Sequence, residues 1–411
     1  MIADFSLKDN LFVEFLLPDE DGNSFILGIS ELGGGDVLGG YGEFIIGESL
    51  LGGEDVLGPS SGLKWQDVGC ETANARLGIG GSISDAIYFQ PQPATANLTL
   101  QSYDLDPTVN KNIRANTKIR VRLDAPEIDR VLFVGYIDTI DVTYYPDGPN
   151  LIRITAFDVY KSLVNTRIDD WDTTALPAGY ATTDEVFELL AIKTGIGLSA
   201  NSKPTIGRIP AVAETNLLVP DIINDAIDVG LAIVWIDQDT EELTVIPRPS
   251  AEEGTATTYV VGNNHSSSPY HLCMSEINVS SDADAVYNSL KVALASNEET
   301  FVFLRDQDSI DLYGESAVDV AINTTDSDEL ARWAAAVYRQ APTKLVSQVV
   351  TPAKDRLGDL TAAAVFTPGS LVGVSYTTNQ LNIVGYYTVI RVSHEIDVDN
   401  WFTTLELWKE A

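Results

Sequence analysis

From about residue 63 onward, the chain is written in runs of four to eight residues that alternate apolar and polar, cut by turn clusters such as Pro146-Asp-Gly-Pro. A period of two commits each run to a strand with one buried face. The runs come in two similar sets. The earlier holds residues 95–100, 117–123, 131–142 and 151–157. The later holds residues 286–294 and 308–314, then a helical segment, then residues 370–376, 386–396 and 401–407. Each set reads as a β-barrel with a helix laid against it, the earlier one shorter. The expected fold class is mainly β with minor α, two barrels separated by a small α/β insert.

Four segments follow. Residues 1–62 open with two apolar runs, 11–17 and 24–29, around the turn Asp19-Glu-Asp-Gly-Asn, which predicts a β-hairpin. A glycine-dense tract comes next, with the near repeat Leu32-Gly-Gly-Gly-Asp-Val-Leu-Gly39 and Leu51-Gly-Gly-Glu-Asp-Val-Leu-Gly58. Two short units do not make a solenoid, so the tract reads as a pliable arm whose spaced Leu, Val and Ile dock on an apolar surface. Residues 63–168 form the first barrel. Residues 169–275 form a small mixed domain, with helices predicted over 182–193 (Thr183 as cap, Gly195 as stop) and 220–229 (Pro220 in the first turn, Gly230 as stop). A hairpin of 232–237 and 243–247 follows them, and the polar stretch 262–269 is a linker. Residues 276–411 form the second barrel, whose helix over 327–339 is capped by Asp326 or Ser327 and stopped by Pro342.

At 411 residues the chain exceeds one compact core, and a hydrophobic fraction of 45% is that of a globular protein. Sixty acidic against 25 basic side chains give a formal charge of −35, a field that repels nucleic acid and anionic membranes. It reads as a solvated acidic surface or, more sharply, as a channel wall that DNA passes without sticking. Cys70 and Cys273 make neither a disulfide framework nor a Cys-x-x-Cys site, which suits a reducing compartment. No signal peptide is evident, and no apolar run nears the ~20 residues that span a bilayer.

The chemical motifs fail one by one. His271-Leu-Cys273, with His265 nearby, lacks the paired spacings of a zinc site and the second His and downstream Asp of a metallopeptidase. Asp237-Gln-Asp-Thr-Glu-Glu starts like a calcium loop but has Glu242 and Arg248 where Gly and Glu are required, so it reads as a hairpin tip. Gly195-Ile-Gly-Leu-Ser-Ala200 follows a helix instead of preceding one, and Gly78-Ile-Gly-Gly81 has Ile83 in the third glycine position. Gly-x-Ser-x-Gly is absent, Cys70 shows no thiolate-stabilising neighbour, and His394 lies in a strand. Trp65, Trp235, Trp401 and Trp333 sit in core patterns. A carboxylate pair for glycoside cleavage would form only by spatial approach, and no pair stands out. No catalytic, cofactor-binding or metal-ligating residue is assigned, and no cofactor.

Several stretches resemble the tail hub (baseplate hub, or minor tail) proteins of tailed bacteriophages. In the later set these are Asp284-Ala-Val-Tyr-Asn-Ser-Leu-Lys-Val, Asp308-Ser-Ile-Asp-Leu-Tyr-Gly314, the helix with Ala334-Ala-Ala-Val-Tyr-Arg, and Pro368-Gly-Ser-Leu-Val-Gly-Val leading to Tyr387-Thr-Val-Ile-Arg-Val-Ser-His-Glu-Ile. In the earlier set, Leu132-Phe-Val-Gly-Tyr-Ile-Asp precedes Ile154-Thr-Ala-Phe-Asp-Val-Tyr-Lys-Ser-Leu, a strand ending in an Ala-x-Asp turn into a short helix. The resemblance covers about residue 63 to the C-terminus, without the glycine tract or any lysozyme or peptidase extension. It implies two tail-tube-like barrels per chain, and a homotrimer forming a pseudo-sixfold ring. That ring would join a hexameric distal tail or tail-tube ring to a threefold tip, spike or fibre protein, with the tape measure protein a further partner. It further implies a virion protein of the tail tip, assembled in the host cytoplasm, that is not an enzyme, meets DNA only in transit and does not insert stably in membrane. Rival readings are a tail-associated carbohydrate or cell-wall hydrolase using a carboxylate pair, a glycan-binding receptor module built on residues 169–275, and a hexameric distal tail protein with one barrel per subunit.

Overall fold

The structure, a computed structural model, describes residues 11–18, 63–67, 71–84, 88–103, 107–108, 112–125, 128–174, 176, 179–203, 207–248, 258–263, 268, 270–281, 286–338, 344–352, 365–397 and 400–408. The predicted strand over 24–29, the glycine tract, Cys70 and His265 lie outside these residues. The fold is mainly β with minor α, as the patterning implies. The chain divides into an early unit, Ala3–Ala75 with Ala96–Phe157, and a later unit, Met1–Ile2, Arg76–Thr95 and Asp158–Ala411.

In the early unit the strands are β1 (Leu11–Pro18), β2 (Leu63–Asp67), the outer parts of β3 (Glu71–Ser84) and β4 (Tyr88–Ser102), β5 (Lys118–Ala125), β6 (Ile128–Thr143) and β7 (Asn150–Phe157). They run β3-β4-β7-β6-β5-β1-β2 across one sheet. Alternation delivers the core directly: Leu11, Val13, Phe15 and Leu17 on β1, Ile119, Val121 and Leu123 on β5, and Ile152, Ile154 and Ala156 on β7 are buried. β1 is built into the sheet between β5 and β2, with Phe15 facing Ile119 on one side and Gln66 on the other. Gly135 on β6 lets the chain pass Phe157, whose carbonyl oxygen would lie 2.3 Å from a Cβ.

The later unit opens at Asp158. α1 (Tyr160–Val164) starts there, and β8 (Arg167–Ile168), β9 (Trp171–Asp172) and β10 (Tyr180–Thr182) lead to α2 (Thr183–Thr194). The chain then retraces its path: β11 (Arg208–Pro210) pairs with β10, β12 (Ala213–Glu214) with β9 and β13 (Leu217–Leu218) with β8. α3 (Val219–Gly230) and the hairpin β14 (Ala232–Ile236) and β15 (Leu243–Pro247) complete this layer. Its core joins Phe187, Leu190, Ile223, Ile227, Val234 and Trp235 to Phe89, Ile390 and Trp408.

The later unit's part of the same continuous sheet as β3 and β4, called the second sheet below, holds the parallel strands β16 (Val260–Gly262) and β17 (His271–Cys273), then β18 (Glu276–Ser281). The segment 286–338 does not join it. There β19 (Ser289–Leu294), β20 (Asn297–Arg305) and β21 (Ala317–Ile322) make a separate three-stranded sheet in the order β20-β19-β21. α4 (Gln307–Tyr313) precedes β21, and α5 (Ser327–Val337) packs Leu330, Trp333 and Val337 on Leu290, Val292 and Ile322. β22 (Lys344–Pro352), β23 (Leu371–Thr377), β24 (Asn382–Asp397) and β25 (Trp401–Trp408) return to the second sheet. β24 is shared along its length: Asn382–Thr388 pairs with β23, Thr388–Ile396 pairs with β25, and a bulge lies between Val389 and Arg391. β3 also pairs with β24, and Gly80, at φ +121°, would put a Cβ 2.3 Å from the Ile390 carbonyl oxygen.

The helix boundaries differ from expectation by local chemistry. Thr182, not Thr183, caps α2: its hydroxyl accepts from the Glu185 N–H while the Glu185 carboxylate accepts from the Thr182 N–H. Thr183 is fully buried instead. Gly195 stops α2 at φ 72°. Gly230 lies inside α3, and Leu231 takes the left-handed cap at φ 47°, because the chain turns at once into β14, with the Leu231 carbonyl accepting from the Arg248 N–H. Asp326 caps α5, which ends at Val337 with Tyr338 extended.

Candidate functional site

A cleft of the later unit lies beside α3 and has an empty volume of about 540 Å³. Trp171, Val186, Ile209 and Ile222 line its apolar side, and Glu214, Asp221, Asp225 and Asn323 supply polar groups. The helical period places Asp221, Asp225 and Asp228 on successive turns, opposite the buried Ile222, Ile223, Ala226 and Ile227. Burial raises the Asp225 carboxyl above its ordinary value; a 3.1 Å hydrogen bond from the Asn323 amide opposes the rise and the charges of Asp221 and Glu214 add to it. Asp228 is pushed up to about 7 by burial, opposed by Arg248 and assisted by Asp225. The end of α3 is held by α5: Arg332 donates to the Val229 carbonyl at 3.1 Å and the Trp333 indole to that of Asp228 at 3.1 Å. Asp228 lies outside that cleft and lines an adjoining one with Asp225, Ala321 and Asn323, where a carboxyl raised to about 7 has acid–base capacity near neutrality. Sequence reading missed these carboxylates because the i, i+4, i+7 spacing of Asp221, Asp225 and Asp228 is also that of any solvated helix face.

A second concentration of charge lies on one face of the early unit. Lys118, Arg120 and Arg122 alternate along β5. Arg120 grips Glu14 of β1 through two nitrogens, at 2.6 and 3.2 Å, and its guanidinium stacks 4.4 Å from the Trp65 ring. The Lys118 ammonium lies 5.8 Å from the Tyr136 ring centroid. Arg122 meets Asp124 at 2.8 Å and Asp129 at 3.7 Å. Glu14, Asp129 and Tyr136 lie on β1 and β6, the strands flanking β5, whereas Asp124 lies on β5 itself.

The residues singled out in the sequence are not brought together. His271 and Cys273 lie on β17, and Thr351 donates to the Cys273 carbonyl at 2.6 Å. Among the described residues, no group of three or more His, Cys, Asp or Glu has the arrangement of a metal site. Asp237–Glu242 is a tight hairpin tip, closed by the Asp237 N–H on the Glu242 carbonyl and the Glu241 N–H on that of Asp237. Gly78, Gly80 and Gly81 lie in β3, where Gly78 faces the Arg391 guanidinium. His394 is buried, hydrogen-bonded through Nδ1 to the Thr403 hydroxyl at 3.0 Å and edge-on to Trp401. The Ala-x-Asp turn is realised at Asp158, whose carboxyl accepts from the Tyr160 N–H at 3.1 Å and whose own N–H donates to the Ala94 carbonyl at 3.1 Å. Among the described residues, no helix is long and apolar enough to cross a membrane.

No protein-family model matches the sequence, and neither does any curated protein. Solved structures do match. A tail protein from Neisseria meningitidis MC58 superimposes with a TM-score of 0.56 at 11% identity, over 85% of this chain and 94% of its own. The 43 kDa tail protein of prophage MuSo2 from Shewanella oneidensis does so with a TM-score of 0.55 at 10% identity, over 84% of this chain and 95% of its own. At such identities the shared quantity is the backbone path, and it is shared through almost the whole of both relatives. The chain has a tail-protein fold, the one its sequence resemblance implies.

Proposed function

We propose that this chain is a structural virion protein of a phage tail tip, a hub whose homotrimer forms a pseudo-sixfold ring. The ring joins a hexameric distal tail or tail-tube ring to a threefold tip, spike or fibre protein, and its bore is the exit path of DNA. The observation that carries this reading is the match, over more than nine-tenths of their length, to two tail proteins. In this reading residues 63–168 and 276–411 supply two ring-wall segments per subunit, residues 169–275 are an insert, and residues 1–62 hold the sheet strand β1 and a Gly-rich docking arm. Two wall segments per chain let three subunits meet six, because each closed ring needs complementary faces at every junction. The charge of −35 suits a wall that DNA must pass without sticking. Assembly takes place in the host cytoplasm, and no catalytic step is required. Electron microscopy of the purified chain, alone and with its distal tail ring, tests the reading. Threefold particles with six quasi-equivalent wall segments are expected; a sixfold ring of single-barrel subunits would overturn it.

The adjoining cleft that Asp225 and Asp228 both line supports a second reading, a carboxylate-dependent hydrolase of cell-wall or capsular glycan, because burial raises both groups. Clearing of host wall material in a zymogram, lost in Asp228→Asn, would favour it over the purely structural role.

A further inference from the structure

The three-stranded sheet of residues 286–338 leaves β20 as an edge among the described residues; its ladder is irregular between Asn297 and Phe301, but from Phe301 to Arg305 the edge is regular and lacks the usual protections. Exposed edges are ordinarily blunted by shortness, proline, a bulge or an inward charge. β20 has nine residues, Asn-Glu-Glu-Thr-Phe-Val-Phe-Leu-Arg, with no proline, and its inward positions carry Thr300, Val302 and Leu304. Those three are only half-buried, although Val302 and Leu304 pack against the core built on Trp333. On the opposite face Phe301 and Phe303 are each 51% exposed, with the Lys291 ammonium 5.2 Å from the Phe301 ring centroid. Two half-exposed phenylalanines on one edge strand form a coherent patch, not scattered surface apolars.

The order of residues along β20 identifies the occupant. Glu299 lies near one end and Arg305 at the other, both on the face that carries Phe301 and Phe303. Laid antiparallel against its own copy about Val302, the strand sets Glu299 opposite Arg305, Phe301 opposite Phe303, and Thr300 opposite Leu304, each twice. Moving the register by two residues in either direction breaks the charge pairing and leaves one Phe–Phe pair in place of two. We propose that β20 is a self-pairing edge, through which two copies of this chain join their three-stranded sheets across a twofold axis at Val302.

Backbone pairing supplies the attraction, and the cross-strand side chains set the register. The contact is self-complementary, as an isologous interface must be. It is distinct from the ring contact proposed above and belongs to the chain free of its tail partners, since a twofold axis inverts one ring relative to the other whereas the tail ring has unlike faces. The contact is small, which places the equilibrium in the micromolar range.

Sedimentation equilibrium of the full chain at rising concentration tests this, with Arg305→Glu, Glu299→Arg and the double variant in parallel. Circular dichroism checks that each is folded. Wild-type particles are expected to reach an even number of copies. Each single reversal juxtaposes like charges twice and weakens the association roughly tenfold, whereas the double variant recovers it. Glu315→Gln removes the neighbour 3.5 Å from Arg305 and leaves association unchanged. Only one or three copies at every concentration, an even state indifferent to the single reversals, or no recovery in the double variant would each overturn the proposal. Three-copy particles in Arg305→Glu would leave the ring reading standing.

Discussion

Asp158 offers the sharpest test of the later unit's energetics. It sits at the start of α1 with 3% of its surface exposed, and burial lifts its carboxyl from an ordinary 3.8 to about 8, against hydrogen bonds from the backbone of Ala94 and Tyr160 and from Gln238. The folded chain therefore holds a proton there that the unfolded chain releases near pH 4. Stability must fall as pH rises from about 4 to 8, by about 1.4 kcal/mol per pH unit, and stay low above that. At pH 7 the accumulated loss is about 4 kcal/mol. Asp158→Asn keeps an oxygen to accept from the Tyr160 N–H but cannot ionise. It should be the more stable protein at pH 7, by up to about 4 kcal/mol, and equal to wild type at pH 4. Urea unfolding followed by tryptophan fluorescence at pH 5, 6, 7 and 8 reads this out, since five of the six tryptophans belong to the later unit. Other raised groups, Asp225 and Asp228, act alike in both proteins and cancel in the difference. Parallel pH curves, or a variant weaker than wild type at pH 7, would mean that Asp158 is ionised in the fold and would refute the reasoning.

Three further outcomes are expected. Gly80→Val places a Cβ on the Ile390 carbonyl at a positive φ, and should cost at least about 3 kcal/mol in urea unfolding of the later unit. Thr182→Ala breaks the capping box of α2 and should cost about 1 kcal/mol in the same assay, with amide exchange quickening in the first turn of the helix. Glu14→Ala strands Arg120 on the early unit's sheet face, and should lower thermal stability by about 1–3 kcal/mol, with Trp65 emission changing as the stacked guanidinium shifts.

Local structure was legible where one residue's period decided it. The alternation of residues 117–123, 151–157 and 401–407 maps onto β5, β7 and β25, and the stripe Ile222, Ile223, Ala226 and Ile227 is the buried face of α3. Leu231 was illegible as a cap because no intrinsic preference puts leucine at positive φ; the turn into β14 demands it. Sheet membership was also out of reach. Nothing local in Ser289–Leu294 distinguishes a strand of the three-stranded sheet from one of the second sheet, since both alternations are satisfied by any apolar partner layer. Strand β1 pairs with the distant β2 and β5, a long-range choice that nothing in its own residues announces. The carboxylates beside α3 were invisible for a related reason: what raises Asp225 is chiefly burial, then the charge of Asp221 one turn earlier and that of Glu214, and burial and Glu214 depend on the retracing strands.

The hairpin of β3 and β4 changes allegiance partway: Arg76–Thr95 belongs to the later unit although the rest of both strands belongs to the early one. A gene fragment beginning at Asp158 would thus encode a body missing Phe89 from its interior and Gly80 from beside Ile390. Neither unit is a contiguous cassette. Any exchange of one unit alone must then carry a matching tongue of the other, and drift in Phe89 or Gly80 is answerable to residues some 300 positions away.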